Sequence, residues 1–272
     1  MQHVDLTLGG LTVSRLALGT APLADLYDIV DEGEARAAVA TAAIAGINLF
    51  DSSPLYGFGL AELRLGAGLR ETPPPSGAVI STKVGRRVPS LEEVVSESVM
   101  PSTFKGGLRH KLVFDYSADG ARRSLEQSML RLGVDRIDVV LIHDVDVFTH
   151  GVDGVGERFR QAMMGAHRAL TDLRSQGVVR AIGIGGNECE IATRFIREGD
   201  IDVVLLAGRY SLLEQSAFAE FLPEAQRRNV GVMLGGVFNS GILATGAVPS
   251  ARYNYAPAPP EVTNKVDRLE AV

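Results

Sequence analysis

The sequence predicts an α/β protein, a closed (β/α)8 or TIM barrel, on three observations. Short apolar runs recur along its 272 residues, each ending in polar or glycine residues and mostly followed by an amphipathic stretch. Strands buried on both faces read as continuous apolar runs, so this alternation argues for a parallel sheet. No change of composition interrupts the repeats, which makes residues 1–272 a single domain. The junction of the first strand and first helix reads LGTAPLAD, without the G-x-G-x-x-G that an open nucleotide-binding sheet carries there.

The elements follow in order. DLTLGGLTVS, two alternating runs around Gly9-Gly10, predicts a β-hairpin. The barrel strands are RLALGT, INLFDSS, AVISTKVG, IDVVLIHDVD, RAIGIGGN, IDVVLLAGRY and VGVMLGGVFN. Helices are read in DEGEARAAVATAAIAG, GARRSLEQSMLRLG, FRQAMMGAHRALTDLRSQG and EQSAFAEFLPEAQRRN, with stops at Gly46, Gly133, Gly177 and Asn229. PPEVTNKVDRLEAV reads as the seventh helix, so an eighth strand and helix are expected to be absent from this chain. Two long irregular segments are expected: residues 86–116 after the third strand, and DVDVFTHGVDGVGE after the fourth.

A formal net charge of -6 sets the chain against a nucleic-acid partner. The basic residues Arg86, Arg87, Lys105, Arg109 and Lys111 read as a solvated face. The single cysteine, Cys189, excludes an internal disulfide and fits a reducing cytoplasm; it reads as a small, partly buried residue beside a helix start. The N-terminus lacks a charged start followed by an apolar stretch, so no secretory signal is expected, and no apolar run approaches the ~20 residues that span a bilayer.

In such barrels the working residues come from the C-terminal ends of the strands. Those ends present Thr20, then Asp51 with Tyr56 in its loop, then Lys83, then His143. Each alone has a structural reading, as a cap, an ion-pair partner or a core histidine. Together, at the ends of successive strands, they converge on one pocket. A tyrosine ionises near ~10, and an adjacent ammonium lowers that value. Lys83 is placed to do so, Asp51 to keep Lys83 charged, and His143 to orient a substrate oxygen. GFGLAE and GIGGNE fail as dinucleotide fingerprints, because Glu62 and Glu188 stand where the third glycine belongs. No residues are assigned to a metal.

These residues in this order resemble the aldo-keto reductase family, through FDSSPLYGFGLAE, ISTKVG, VLIHDVD and IGIGGN, and the likeness covers essentially the whole chain. The resemblance implies that Asp51, Tyr56, Lys83 and His143 form a catalytic tetrad. It implies a nicotinamide cofactor, NADP or NAD, bound extended across the barrel mouth without a glycine fingerprint, and a hairpin that closes the other end. Within the family, FDYSADGARRSLEQSMLRLGVDRIDVVLIHDVD and GGVFNSGILATG look most like the bacterial L-fucose and D-threo-aldose 1-dehydrogenase branch, with pyridoxal 4-dehydrogenase and galactose dehydrogenases as relatives. That branch implies oxidation of an aldose at C1 to the lactone. An NADPH-dependent aldehyde or ketone reductase, a pyridoxal 4-dehydrogenase and a non-catalytic nucleotide-sensing regulatory subunit are the alternatives. Cofactor contacts carried over are Thr20, Asp51, Asn187, Gly235, Gly236, Phe238, Asn239 and Gly241, with Gly186, Ala207 and Gly235 standing where many members have serine, glutamine and an aromatic. Tyr27, Phe58 and Tyr210 are the expected substrate walls. The choice between the two cofactors falls in the family's eighth-strand region, and oligomeric state is not read.

Overall fold

The computed structural model describes residues 1–6, 10–93 and 103–272. It opens with an antiparallel hairpin of β1 (His3–Asp5) and β2 (Thr12–Ser14). Gly9, half of the expected turn, lies outside the described residues. Next come β3 (Ala17–Gly19), α1 (Glu32–Ile44), β4 (Leu49–Asp51), α2 (Leu60–Glu71) and β5 (Val79–Val84). A short antiparallel pair, β6 (Arg86–Arg87) with β7 (Val113–Phe114), precedes α3 (Ala118–Leu132) and β8 (Val139–His143). The helix α4 (Val147–Gln161) runs through a π-helical turn into α5 (Arg168–Ser175). Then follow β9 (Ala181–Gly186), α6 (Cys189–Glu198), β10 (Val203–Ala207), α7 (Phe221–Arg228), β11 (Gly231–Gly235) and the short α8 (Ile242–Thr245). A hairpin of β12 (Arg252–Tyr253) and β13 (Ala256–Pro257) leads to α9 (Pro260–Glu270).

Among the described residues, seven strands form one parallel sheet in the order β11-β10-β9-β8-β5-β4-β3. All seven strands expected from the sequence are present, and each crossover moves the chain one place along the wall of a (β/α)8-type barrel. Strand side chains alternate between two cores. The inner one holds Leu49, Val79, Val139, Ala181 and Val203, each the first residue of its strand, packed against Leu6, Leu11 and Val13 of the hairpin. The hairpin therefore plugs the N-terminal end of the barrel. The outer core sets Ile80, Val140, Ile182 and Val204 against Val39, Leu65, Leu125, Phe195 and Phe221 of the helices.

Capping decides where the helices begin and end. Asp31 accepts the N–H groups of Gly33 and Glu34 at the start of α1, and Ser117 accepts that of Gly120 at the start of α3. Gly46, Gly133, Gly177 and Asn229 all take positive φ just past helix ends, as expected. Helices α2, α4, α6 and α8 were not among those read from the sequence, and glycines mask the first two. In α2 the glycines look like breakers, but a Cβ on Gly66 would lie 2.0 Å from Leu132 O and one on Gly68 2.7 Å from Val39. They let α2 approach its neighbours closely. The segment DVDVFTHGVDGVGE is mostly helix α4 rather than a loop: its glycines break the apolar period, yet only Gly151 kinks the backbone. Asp146 caps Thr149 N, and the Glu188 carboxylate accepts from Val147 N and Phe148 N, so the first turn is held without apolar packing.

Candidate functional site

Register brings the predicted residues together. Asp51, last in β4, lies opposite Gly19 on one side and Ser81 on the other. Because side chains alternate, Ser81 and Lys83 share the inner face of β5, while Thr82 turns outward to donate to Glu62 of α2 at 2.6 Å. Ser81 Oγ donates to Asp51 Oδ1 at 2.8 Å, and Lys83 Nζ donates to Asp51 Oδ2 and to Ser52 O, each at 2.7 Å. Lys83 is only 1% exposed. Burial pulls its pKa down, but the charge of Asp51 and the Tyr56 phenol outweigh burial, and the net direction is up. The ammonium therefore survives burial because of its partner, as expected from the sequence.

Tyr56 starts a tight turn in which Gly57, Phe58 and Gly59 have φ of 57°, 58° and 104°. Only glycine takes that region without strain, so Phe58 must be held there. It is buried with Leu55 and Leu112, edge-on to Phe104 at 6.0 Å, while Gly57 O accepts the N–H of Leu108 at 2.9 Å. The turn is thus wedged between neighbouring loops, and it puts the Tyr56 ring 4.8 Å from Lys83 Nζ. The Tyr56 pKa nonetheless moves opposite to the sequence expectation. Burial raises it, and the lowering by Lys83 is smaller than that cost. The ammonium moderates the rise without reversing it.

His143 ends β8 opposite Gly185 of β9, its ring edge-on to Tyr56 at 6.0 Å. Nδ1 lies 3.1 Å from Ser53 Oγ and Nε2 lies 3.4 Å from Asp144 Oδ2. Burial, then the positive charges of Arg86 and Lys83, hold its pKa well below the usual histidine value, so the ring is neutral. Arg86, expected on a solvated face, is 4% exposed: it pairs with Asp144 at 3.0 Å and stacks on Phe114 at 4.7 Å. Desolvating a charge is unfavourable without a partner, and Asp144 is that partner. Tyr116 Oη donates to the backbone O of His143 at 2.8 Å, which pins the end of β8.

The other expected contacts divide. Thr20 is fully buried and bonds Asp51 O at 3.0 Å and Ser52 Oγ at 2.9 Å, clipping β3 to β4. Asn239, also buried, donates to Gly208 O at 3.2 Å and accepts from Ser211 Oγ, so its side chain joins two loops. Asn187 is partly exposed, and its side chain has no hydrogen bond among the described residues. Gly186 faces Asp146, whereas a Cβ on Gly185 would lie 3.2 Å from Lys83 Cε; Gly185, not Gly186, is the bare position over the site. Gly236 and Gly241 have positive φ in the loop after β11, beside exposed Phe238. Phe58 packs behind the Tyr56 turn, Tyr210 is exposed, and Tyr27 lies under the Arg252 guanidinium at 4.9 Å. Cys189 is half-buried, its thiol pushed up by burial.

Sequence reasoning missed Ser53, Arg86, Asp144, Phe104 and Tyr255. Ser53 and Asp144 sit inside the quoted motifs, so their positions carried a signal. Tyr255 carried none: it is exposed at the turn of the β12–β13 hairpin, its ring 6.4 Å from that of Phe148 at the start of α4.

Comparison with known families matches residues 15–272 to the model of the Aldo/keto reductase family. The chain belongs to that family. It is 42% identical over 269 residues to the pyridoxal 4-dehydrogenase of Microbacterium luteolum, covering 97% of this chain and 78% of that protein. It is 37% identical over 265 residues to the D-threo-aldose 1-dehydrogenase of a Pseudomonas species, with the same coverage of 97% and 78%. The solved structure of an aldo-keto reductase from Bacillus halodurans matches with a TM-score of 0.64 at 24% identity, over 96% of this chain and 71% of that one, and supports the fold. Family membership makes the chain an NAD(P)-dependent oxidoreductase.

The mouth fits that cofactor. Gly185 lets the Lys83 stem pack against the backbone of β9, and the Asn187 amide at the end of that strand has donors and an acceptor to offer.

Proposed function

We propose that the chain oxidises a cyclic hemiacetal to a lactone with NAD or NADP, acting on an aldose of the L-fucose, L-galactose or D-arabinose type at C1. The observation that carries this reading is the buried Asp51–Lys83 pair, 2.7 Å apart, beneath Tyr56, with a neutral His143 on the other side.

Each residue has a task. Tyr56 Oη, as phenolate, takes the proton of the anomeric hydroxyl; Lys83 stabilises that phenolate, and Asp51 keeps Lys83 charged. His143 donates a hydrogen bond to the same substrate oxygen and holds it toward Tyr56. Asn187 and the glycine-bearing loop 235–241 hold the cofactor, Asn187 through its free amide and the loop through its backbone. When bound, the nicotinamide supplies the acceptor for the hydrogen and electron pair leaving C1. Tyr27 and Tyr210 border the substrate.

A second reading is favoured by the more similar relative, a pyridoxal 4-dehydrogenase. Pyridoxal closes on its own hydroxymethyl group to a hemiacetal, so the same proton transfer serves it. The test follows NADH and NADPH formation by purified protein with L-fucose, L-galactose, D-arabinose and pyridoxal. Turnover of a sugar above pyridoxal supports the first reading, and the reverse order the second. Turnover only of simple aldehydes with NADPH would make the chain a carbonyl reductase, and nucleotide binding without any turnover would make it a sensing subunit.

A further inference from the structure

His143 is buried and neutral, so one ring nitrogen carries a proton and the other does not. The choice decides whether the ring offers a donor or an acceptor to a substrate oxygen. Ser53 settles it. Its oxygen, fully buried, lies 3.1 Å from Nδ1 and already accepts the N–H of Leu55 at 3.1 Å. Ser53 Oγ has no further partner among the described residues, so Nδ1 is the one acceptor within reach of its proton. On the other edge of the ring, Nε2 lies 3.4 Å from Asp144 Oδ2. A negative charge that close favours a proton on the nearer nitrogen.

The opposite tautomer is penalised twice. A proton on Nδ1 would leave the Ser53 hydroxyl proton without an acceptor in a buried place, and it would set an unprotonated Nε2 3.4 Å from the Asp144 carboxylate, two electron-rich groups with no proton between them. The neighbouring charges are fixed: Arg86 holds Asp144 at 3.0 Å, and Lys83 is committed to Asp51 at 2.7 Å.

We infer that Ser53 is a positioning residue: its hydroxyl donates to Nδ1 of His143 and fixes the Nε2–H tautomer, the form that donates to the substrate oxygen. Ser53 also accepts the Tyr56 N–H on its backbone oxygen at 3.1 Å. One short segment thereby sets both the ring that orients and the phenol that exchanges the proton. The effect on turnover rests on the reading of His143 proposed above; the tautomer does not.

The experiment is nitrogen NMR on ligand-free protein labelled at histidine, near neutral pH, with the His143 signals assigned by their loss in His143→Gln. The expected spectrum has a pyridine-like Nδ1 and a pyrrole-like Nε2. In Ser53→Ala the two tautomers mix, and kcat falls about fivefold with little change in KM, the factor set by one ordinary hydrogen bond. Ser53→Thr, which keeps the hydroxyl, restores both readouts. A wild-type proton on Nδ1, or an unchanged tautomer in Ser53→Ala, would overturn the assignment. The wild-type spectrum decides even if Ser53→Thr does not fold. An Nε2–H tautomer without turnover of any tested sugar or pyridoxal supports the role of Ser53 and counts against the substrate reading alone.

Discussion

Strands β4 and β8 end in Asp51 and His143, and β5 carries Lys83 one residue before its end; Lys83 and Ser81 bond Asp51, and His143 lies within bonding distance of Ser53. Strands β9, β10 and β11 end in Gly186, Ala207 and Gly235, and the polar side chain nearest the end of β9, Asn187, is unpaired among the described residues. The two halves of the mouth obey different rules. A buried ammonium or carboxylate is tolerated only inside a connected network, so the first half has little freedom once Lys83 is there. The second half buries no charge at its strand ends and can stay bare. In the function proposed above, proton transfer belongs to the first half and cofactor holding to the second.

The sharpest test of that division is Tyr56→Phe. It is expected to lower kcat about a thousandfold, because the hydroxyl that exchanges the proton is gone. Nucleotide affinity, read by fluorescence titration, should stay as in the wild type; an equal loss of both would break the division. Next in size is Lys83→Met, which leaves Asp51 buried without its counter-charge. It should cost about 3 kcal/mol in urea unfolding. A variant as stable as the parent would mean that the network is not what holds this half together.

The pH profile sharpens the comparison further. Burial raises the Tyr56 pKa above its ordinary value, so the phenol is protonated at neutral pH. Oxidation needs the phenolate and should accelerate about tenfold per pH unit from neutral into the alkaline range, while reduction of a carbonyl by the same enzyme should not. Residual activity of Lys83→Met should need still higher pH, since a lowering influence has been removed. A flat oxidation profile would argue against Tyr56 as the base. The smallest effect belongs to the second half: Asn187→Ala should weaken nucleotide binding about fivefold, one hydrogen bond's worth, and leave unfolding by urea unchanged. If it unfolds the protein instead, Asn187 is part of the scaffold.

Much of the first half could be read before folding. Asp51, Lys83 and His143 interrupt or end apolar runs, and a charge at that place in a barrel strand has few explanations. Ser53 was harder to find, because its partner His143 lies 90 residues away and a serine before a turn has many uses. Arg86 was misread for the opposite reason: it sits in a basic stretch of the sequence, yet folding sends it inward to Asp144 and Phe114.

The sequence by itself determined the seven strands, the ends of the helices that stop at Gly46, Gly133, Gly177 and Asn229, and the residues at the ends of β4, β5 and β8. Apolar runs and backbone conformation are local properties, and these features depend on little else. Only the tertiary structure decided that Gly66 and Gly68 belong inside a helix, because the reason is Leu132 and Val39 on neighbouring helices. It also decided the direction of the Tyr56 pKa and the commitment of Asn239 to Gly208 and Ser211. Desolvation and partner choice are set by atoms brought together from distant parts of the chain, and no local pattern encodes them.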